Sequence, residues 1–186
     1  QFSVGLNGVG TKAVNALSQK FTVKSRRKGK FVEATFRKGK LRKENEGKCP
    51  GEPDGTFISF EPDPDIFKKL IFKDDLVYRR LRHYSYLNTG LKLIYNGKSF
   101  KSRNGLLDLV MEVLKKENAE PIYPPLRFAT KTLEFCFTHS NGHYGETFFS
   151  FVNGQFTSDG GTHLSGFREG LLKAVNEFSK SKFDGE

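Results

Sequence analysis

Between Phe21 and Glu61 the chain sets one β-pattern after another with no helical period between them. Phe21 and Val23 alternate with Thr22 and Lys24, the run Arg27-Lys28-Gly29-Lys30 reads as a turn, and Val32, Ala34 and Phe36 alternate against Phe31, Glu33 and Thr35. Thr56, Ile58 and Phe60 share one side of a further strand over residues 55–61, which Pro62-Asp63-Pro64-Asp65 stops. Strands joined by short turns can pair only antiparallel, because parallel neighbours need a crossover of a dozen or more residues. Strict βαβ alternation is thereby excluded, and the pattern predicts an α+β chain with largely antiparallel or mixed sheets. Residues 44–55, with three glycine breaks and two prolines, read as a loop.

Helical periods frame this meander. Ala13, Val14 and Leu17 share one helical face just before it. After it, Asp74 and Asp75 open a helix carrying Val77, Leu81 and Tyr84, and Asn88-Thr89-Gly90 ends it. Residues 91–95 turn back through Asn96-Gly97, a strong hairpin signal. A second helix spans residues 105–117, and Pro121, Pro124 and Pro125 mark a boundary. Aromatic-rich strands are expected over residues 132–138 and 146–153, then an amphipathic helix bearing Phe167, Leu171, Leu172, Val175 and Phe178. There is no internal repeat.

Mean hydropathy is low, at −0.54, yet 19 Phe and 6 Tyr provide large side chains for a core. No run approaches the roughly 20 apolar residues of a membrane span, and no signal segment opens the chain. Cys49 and Cys136 are too few for a disulfide framework or a cysteine-rich zinc site and read as buried thiols. These features predict a soluble, cytoplasmic protein. Charge is segregated: residues 1–50 carry 13 Lys+Arg against 3 Asp+Glu, and the remaining 136 carry 18 of each. A basic field this local favours polyanions or phosphates, or else serves as a solvated hairpin surface. The chain opens on Gln1 rather than Met, which predicts a piece of something longer.

The densest local signal is Gly5-Leu6-Asn7-Gly8-Val9-Gly10-Thr11. Gly5, Gly8 and Gly10 let the backbone turn tightly and bring several N–H groups to one point ahead of a helix, which suits an anionic phosphate. The order Gly10-Thr11-Lys12 does not make a P-loop. A dinucleotide fingerprint, Gly8-x-Gly10-x-x-Ala13 with Glu33 for a ribose, lacks a complete preceding strand and leads into an antiparallel meander. A purely structural glycine turn is the remaining alternative.

Residues 5–10 followed by Ala13-Val14-Asn15-Ala16-Leu17-Ser18 resemble the second ATP-binding motif of the GHKL ATPases, and more closely that of the B subunits of bacterial type IIA topoisomerases, DNA gyrase and topoisomerase IV. The resemblance covers nearly the whole chain. Gly55-Thr56-Phe57-Ile58-Ser59-Phe60-x-Pro62-Asp63 is similar to the late ATPase-domain strand, and residues 79–90, ending Tyr86-Leu87-Asn88-Thr89-Gly90, to the helix after it. The most specific segment, Asp159-Gly160-Gly161-Thr162-His163-Leu164-x-Gly166-Phe167-Arg168, resembles the transducer signature.

This resemblance implies that residues 1–119 are the C-terminal part of a GHKL ATPase domain and 120–186 the start of a transducer domain like the second domain of ribosomal protein S5. It implies that Gly5, Leu6, Asn7, Gly8, Val9, Gly10 and Thr11 bind the β- and γ-phosphates of ATP and end a mobile lid. It also implies Mg²⁺, an ATP-dependent homodimer gate, double-stranded DNA and a topoisomerase A subunit as partners, with hydrolysis coupled to strand passage. The catalytic Glu and the Mg²⁺-holding Asn are expected upstream of Gln1, and a Gln-Thr-Lys loop after residue 186. No catalytic or metal-binding residue is therefore expected here, and Lys180 and Lys182 do not match that loop. Asn7 stands where bacterial members commonly carry His, which leans toward topoisomerase IV. The Gly160-Gly161-Thr162-His163 run argues against a mismatch-repair ATPase or a histidine kinase. The rival reading is a non-enzymatic, basic nucleic-acid-binding module.

Other polar residues carry plainer expectations. His163 reads as a helix-start or core histidine. His139 and His143 lack acidic or cysteine neighbours for a metal site. Arg79, Arg80 and Arg82 read as a solvated or inter-domain face, with a DNA-facing role as the alternative the resemblance offers.

Overall fold

The computed structural model describes residues 9–141 and 145–183, which fall into two compact units, one up to Phe72 and the other from Lys73 onward. In the first, helix α1 (Gly10–Ala16) leads into strands β1 (Ser18–Arg27), β2 (Lys30–Arg37), β3 (Lys40–Lys48) and β4 (Gly55–Pro62). They form one antiparallel sheet of order β3-β2-β1-β4, within the expected class of antiparallel or mixed sheets, with β4 returning to pair with β1. Two-residue turns with positive φ join the first three strands, Lys28 (51°) with Gly29 (72°) and Lys38 (50°) with Gly39 (77°). Such turns twist in the same sense as the strands they connect.

Register then sorts the side chains. Phe21, Val23, Ala34, Phe36, Leu41, Ile58 and Phe60 share one face, with the Phe21 and Phe36 rings 6.2 Å apart edge to face and Phe21 buried. The opposite face mixes polar side chains with two rings: Thr22 lies 3.3 Å from Thr35, Lys24 pairs with Glu33 and sits 4.3 Å from the Phe31 ring centre, and Phe57 lies across from Lys24.

The loop expected over residues 44–55 is a correction. Strand β3 continues to Lys48, leaving only residues 49–54 as connection. Gly47 is not a break: a Cβ there would lie 2.9 Å from Cε1 of Phe31, so the glycine makes room for a cross-strand ring. Nothing in Lys40–Lys48 alternates apolar with polar, and β2 supplies the backbone partners that make it a strand. Pro62-Asp63-Pro64-Asp65 does end β4. It also starts the short helix α2 (Pro64–Phe67), because Asp63 Oδ1 accepts from Asp65 N at 3.2 Å and Pro64 needs no donor there.

The second unit holds α3 (Asp74–Leu87), the hairpin β5 (Leu93–Tyr95) and β6 (Lys98–Phe100), α4 (Leu106–Glu117), the pair β7 (Leu126–Ala129) and β8 (Glu134–Phe137), the pair β9 (Phe151–Val152) and β10 (Gln155–Phe156), and α5 (Thr162–Phe183). The two expected aromatic strands are shorter than the pattern suggested, and β7 and β10, of four and two residues directly after Pro125 and Gly154, are too short to show a period. Leu109 and Leu114 of α4 are buried, and Phe135 stacks on Phe128 (5.2 Å) and packs at a tilt against Phe167 (5.0 Å). Cys49 is buried and Cys136 half-buried. Among the described residues no helix is long and apolar enough to cross a membrane.

An ionic cluster ties α3 to α4. Glu112 accepts from Arg82 (2.7 Å), from Lys116 and from the Tyr86 hydroxyl. Burial alone would raise the Glu112 carboxyl, but the bonds from Lys116, Tyr86 and Arg82 outweigh it and hold it at about 2. The Tyr86 hydroxyl is pushed up by burial and by that same bond. Because the folded carboxyl is depressed, its stabilisation is complete above the unfolded value near 4.5 and is lost as pH falls toward 2. We predict that Glu112→Gln costs about 1–2 kcal/mol at pH 7, after allowing for solvent screening of the exposed partners, and less at pH 3. Denaturant unfolding at both pH values measures it.

Candidate functional site

The candidate phosphate cradle falls partly outside the described residues: of the seven, Gly5, Leu6, Asn7 and Gly8 are not described, whereas Val9, Gly10 and Thr11 are. These three form the start of α1. Val9 occupies the N-cap position, and its carbonyl accepts from Ala13 N at 2.8 Å. No side chain caps the helix and no acid sits in its first turn. The first-turn N–H groups therefore have no intrahelical acceptor and point toward whatever lies before the helix. No atom among the described residues lies within 4 Å of a Cβ built on Gly10, so packing among those residues does not demand glycine there.

The other end of α1 is firmly fixed. Ser18 Oγ donates to Val14 O (2.6 Å), Gly39 N to Asn15 O (3.2 Å), Lys38 N to Ser18 O (2.8 Å) and Asp63 N to Leu17 O (2.9 Å). Gly39 (φ 77°) passes so close that its Cβ position lies 3.4 Å from Ala16 Cα. Lys38 Nζ then bridges Asp63 (2.7 Å) and Asp65 (2.9 Å). That hydrogen bond from Lys38 holds the Asp63 carboxyl below the usual carboxylate range, and both carboxylates raise Lys38. The β2–β3 turn and the end of β4 thus clamp the helix whose start carries Gly10. Lys38 and Asp63 are 25 residues apart in sequence, and only the hairpin register brings them together.

The glycine-rich segment at 159–168 builds a second, structural constellation. Gly160 and Gly161 take φ of 73° and 140°, and α5 begins at Thr162, with Leu164 N and Ser165 N donating to Gly161 O. A Cβ on Gly160 would meet Leu164 Cδ2 at 2.8 Å, and one on Gly161 would meet His163 Cε1 at 3.0 Å. His163 Nε2 hydrogen-bonds with the buried Ser150 Oγ, to which Thr157 Oγ1 donates at 2.7 Å, while Thr157 N donates to Ser150 O at 2.8 Å. Arg168 grips Glu146 with two nitrogens, at 3.1 and 2.9 Å. Both anchors fasten the start of α5 to the stretch before β9, in keeping with a helix-start histidine. The sequence held no signal for Ser150, which sits in an irregular stretch 13 residues from its partner.

The remaining candidates are placed plainly. His139 Nδ1 bonds with the Tyr123 hydroxyl, and His143 lies outside the described residues. No group of three or more His, Cys, Asp or Glu among the described residues could hold a metal. Arg82 is committed to Glu112. Sequence reading passed over His83, which lies among Phe149, Phe151 (5.6 Å) and Phe156; burial, reinforced by Arg79 and Arg80, lowers its pKa.

Comparisons with known proteins show what the chain is similar to. Residues 103–184 match the family model described as DNA gyrase B. The chain is 52% identical over 183 residues to the B subunit of DNA topoisomerase 4 from Borreliella burgdorferi, covering 98% of this chain and 30% of that protein. It is 35% identical over 192 residues to the B subunit of DNA gyrase from Archaeoglobus fulgidus, covering 96% of this chain and 30% of that protein. Its fold matches the crystal structure of the 43K ATPase domain of Thermus thermophilus gyrase B in complex with an aminocoumarin, with a TM-score of 0.79 and 31% identity, over 97% of this chain and 52% of that one. The chain thus spans less than a third of the length of these curated relatives.

Ser150→Ala should leave His163 Nε2 and Thr157 Oγ1 without their shared partner and cost about 1–3 kcal/mol. Chemical denaturation gives that figure, and a cost within error of zero would show that the hydroxyl holds nothing.

Proposed function

We propose that this chain, similar along almost its whole length to the B subunits of type IIA topoisomerases, forms the γ-phosphate side of a split ATP site in such a protein, and that the whole protein couples ATP hydrolysis to passage of one DNA duplex through another. The observation that carries the reading is the start of α1: a helix end that has no side-chain cap, behind a glycine that no packing requires, among the described residues. Backbone donors at such an end stabilise an anion through both hydrogen bonds and the helix dipole. In this reading residues 5–11 wrap the β- and γ-phosphates, and the clamp at Lys38, Gly39 and Asp63 keeps the helix end from yielding when charge arrives. The donor set here is backbone N–H, which suits phosphate oxygens and not a cation. Mg²⁺ would therefore enter with the nucleotide, held by an Asn outside residues 1–186, and would balance phosphate charge. The base that activates water is likewise a Glu supplied from outside these residues, so the 186-residue chain alone should not turn over ATP.

Residues 1–119 would complete the ATPase domain, ending where Asn118 (φ 50°) caps α4, and residues 120–186 would open the transducer. The complete protein would dimerise with a second copy on binding ATP and work with an A subunit on double-stranded DNA in the cytoplasm. The identity of 52% to a topoisomerase IV relative, against 32% and 35% to two gyrase relatives, favours topoisomerase IV, in the direction Asn7 leans. The basic net charge of residues 1–50 favours one competing reading, a nucleic-acid-binding module without a nucleotide.

Calorimetry with a non-hydrolysable ATP analogue and Mg²⁺ separates the two. We expect binding by a protein extended upstream as the relatives are, and loss of at least about tenfold in affinity, about 1.4 kcal/mol, in its Gly10→Val variant. A folded extended protein that binds no analogue would leave the nucleic-acid module as the better account.

A further inference from the structure

His83 belongs to α3 by sequence, yet its ring joins a cluster built by β9 and β10. Its centroid lies 6.0 Å from Phe149, 5.6 Å from Phe151 and 5.9 Å from Phe156, edge to face with the first two. Phe156 in turn packs against Phe149 (6.3 Å) and Phe151 (5.6 Å), so the four rings close on one another. Phe151 and Phe156 are register partners across the β9–β10 pair. Between Phe149 and Phe151 sits the buried Ser150, whose hydroxyl meets Thr157 Oγ1 and His163 Nε2. The stretch that His83 touches is therefore the stretch that anchors the start of α5.

The groups around this ring are set against a charge on it. Arg79 and Arg80 precede it on α3 at the spacing of helical neighbours, Glu112 and Lys116 face it from α4, and phenyl rings face it from the β9–β10 side. Half-burial and the two guanidiniums lower the imidazole pKa against the pull of Glu112. That carboxylate is already engaged by Arg82, Lys116 and Tyr86, which offset most of its attraction for a further cation. A cleft of about 610 Å³, walled in part by His83, Glu112, Lys116 and Phe149, runs beside the ring and gives protons a way in.

We propose that His83 is a positioning residue whose neutral ring docks the β9–β10 pair onto α3, and that its protonation releases the pair and with it the Ser150 anchor of α5. The contact is an acid-sensitive joint. Docking is at full strength above the undocked value near 6.5 and weakens as pH falls below it, because the docked ring holds its proton less tightly. The joint rests on the reading above only for its place in the enzyme. There α3 belongs to the ATPase domain and β9, β10 and α5 to the transducer, so the joint sets how firmly those parts move together.

Nuclear magnetic resonance on the 186-residue protein tests it between about pH 7.5 and about pH 5. The readouts are the titration of the four histidine rings and the exchange protection of the Thr157 amide, which donates to Ser150 O. We expect His83 to titrate below 6.5, and Thr157 protection to fall at least about threefold relative to the amides of β1. In His83→Phe, which keeps a neutral ring in the group, that loss should vanish. In Arg79→Gln/Arg80→Gln, His83 should titrate closer to 6.5 and the loss should shrink. A His83 value at or above 6.5 would mean that the rings hold an imidazolium and would overturn the proposal. So would a loss that persists in His83→Phe, which would belong to His163, or one shared equally by β1. Circular dichroism confirms that each variant is folded; should His83→Phe not fold, the arginine pair decides, and an unchanged titration and loss there refutes the joint. Calorimetry of the ATP analogue on the extended protein keeps the readings apart. An acid-sensitive Thr157 amide in a protein that binds no analogue refutes the ATP site and spares the joint, and analogue binding with an insensitive amide does the reverse.

Discussion

Strand β1 is the constraint on which the first unit depends. It is hydrogen-bonded on both sides, to β2 and to β4, and its first residue receives the end of α1. A helix of seven residues has little stability of its own, since nucleation is costly and few bonds follow it. Its persistence therefore comes from the clamp: four hydrogen bonds at its C-terminal end, a close pass by Gly39, and the Lys38–Asp63 pair that locks the β2–β3 turn against the end of β4. The other end, with Val9, Gly10 and Thr11, has no side-chain cap among the described residues.

The same register that makes the clamp also divides the sheet chemically. One face gathers Phe21, Val23, Ala34, Phe36, Leu41, Ile58 and Phe60, and the other carries Lys20, Lys24, Arg26, Arg37 and Lys43 beside Phe31 and Phe57. The apolar face is incompletely covered, with Leu41 at 52% and Ile58 at 48% exposure. A chain with so many polar strand residues can still form a sheet because the backbone ladder, not the side chains, holds β3 in place.

In the second unit the start of α5 shows the same economy. Two consecutive glycines at positive φ reverse the chain where side chains would strike Leu164 and His163, and the imidazole then reaches back to Ser150. The glycines and the histidine were visible in the sequence as a motif. Their serine partner was not, because a serine in an irregular segment looks like any other loop residue until something buries it.

Local features were legible where a local cause suffices. Alternation over residues 21–36 specified strands, and Asn96-Gly97 specified a hairpin because both residues must take positive φ, as they do at 47° and 77°. Asp74 and Asp75 marked a helix start through the dipole they offset. Strand β3 was illegible because its only reason to be extended is its neighbour, and Gly47 misled for the same reason: it avoids a ring contributed by another strand. By itself, then, the sequence determined the α+β class, the strands over residues 21–36 with the turn between them and the glycine-led start of α1, all of which follow from short-range sterics and period. Only the tertiary structure decided which end of α1 is held, which face carries the charge, and which serine meets His163, since pairing across tens of residues sets those distances and leaves no trace in any local window.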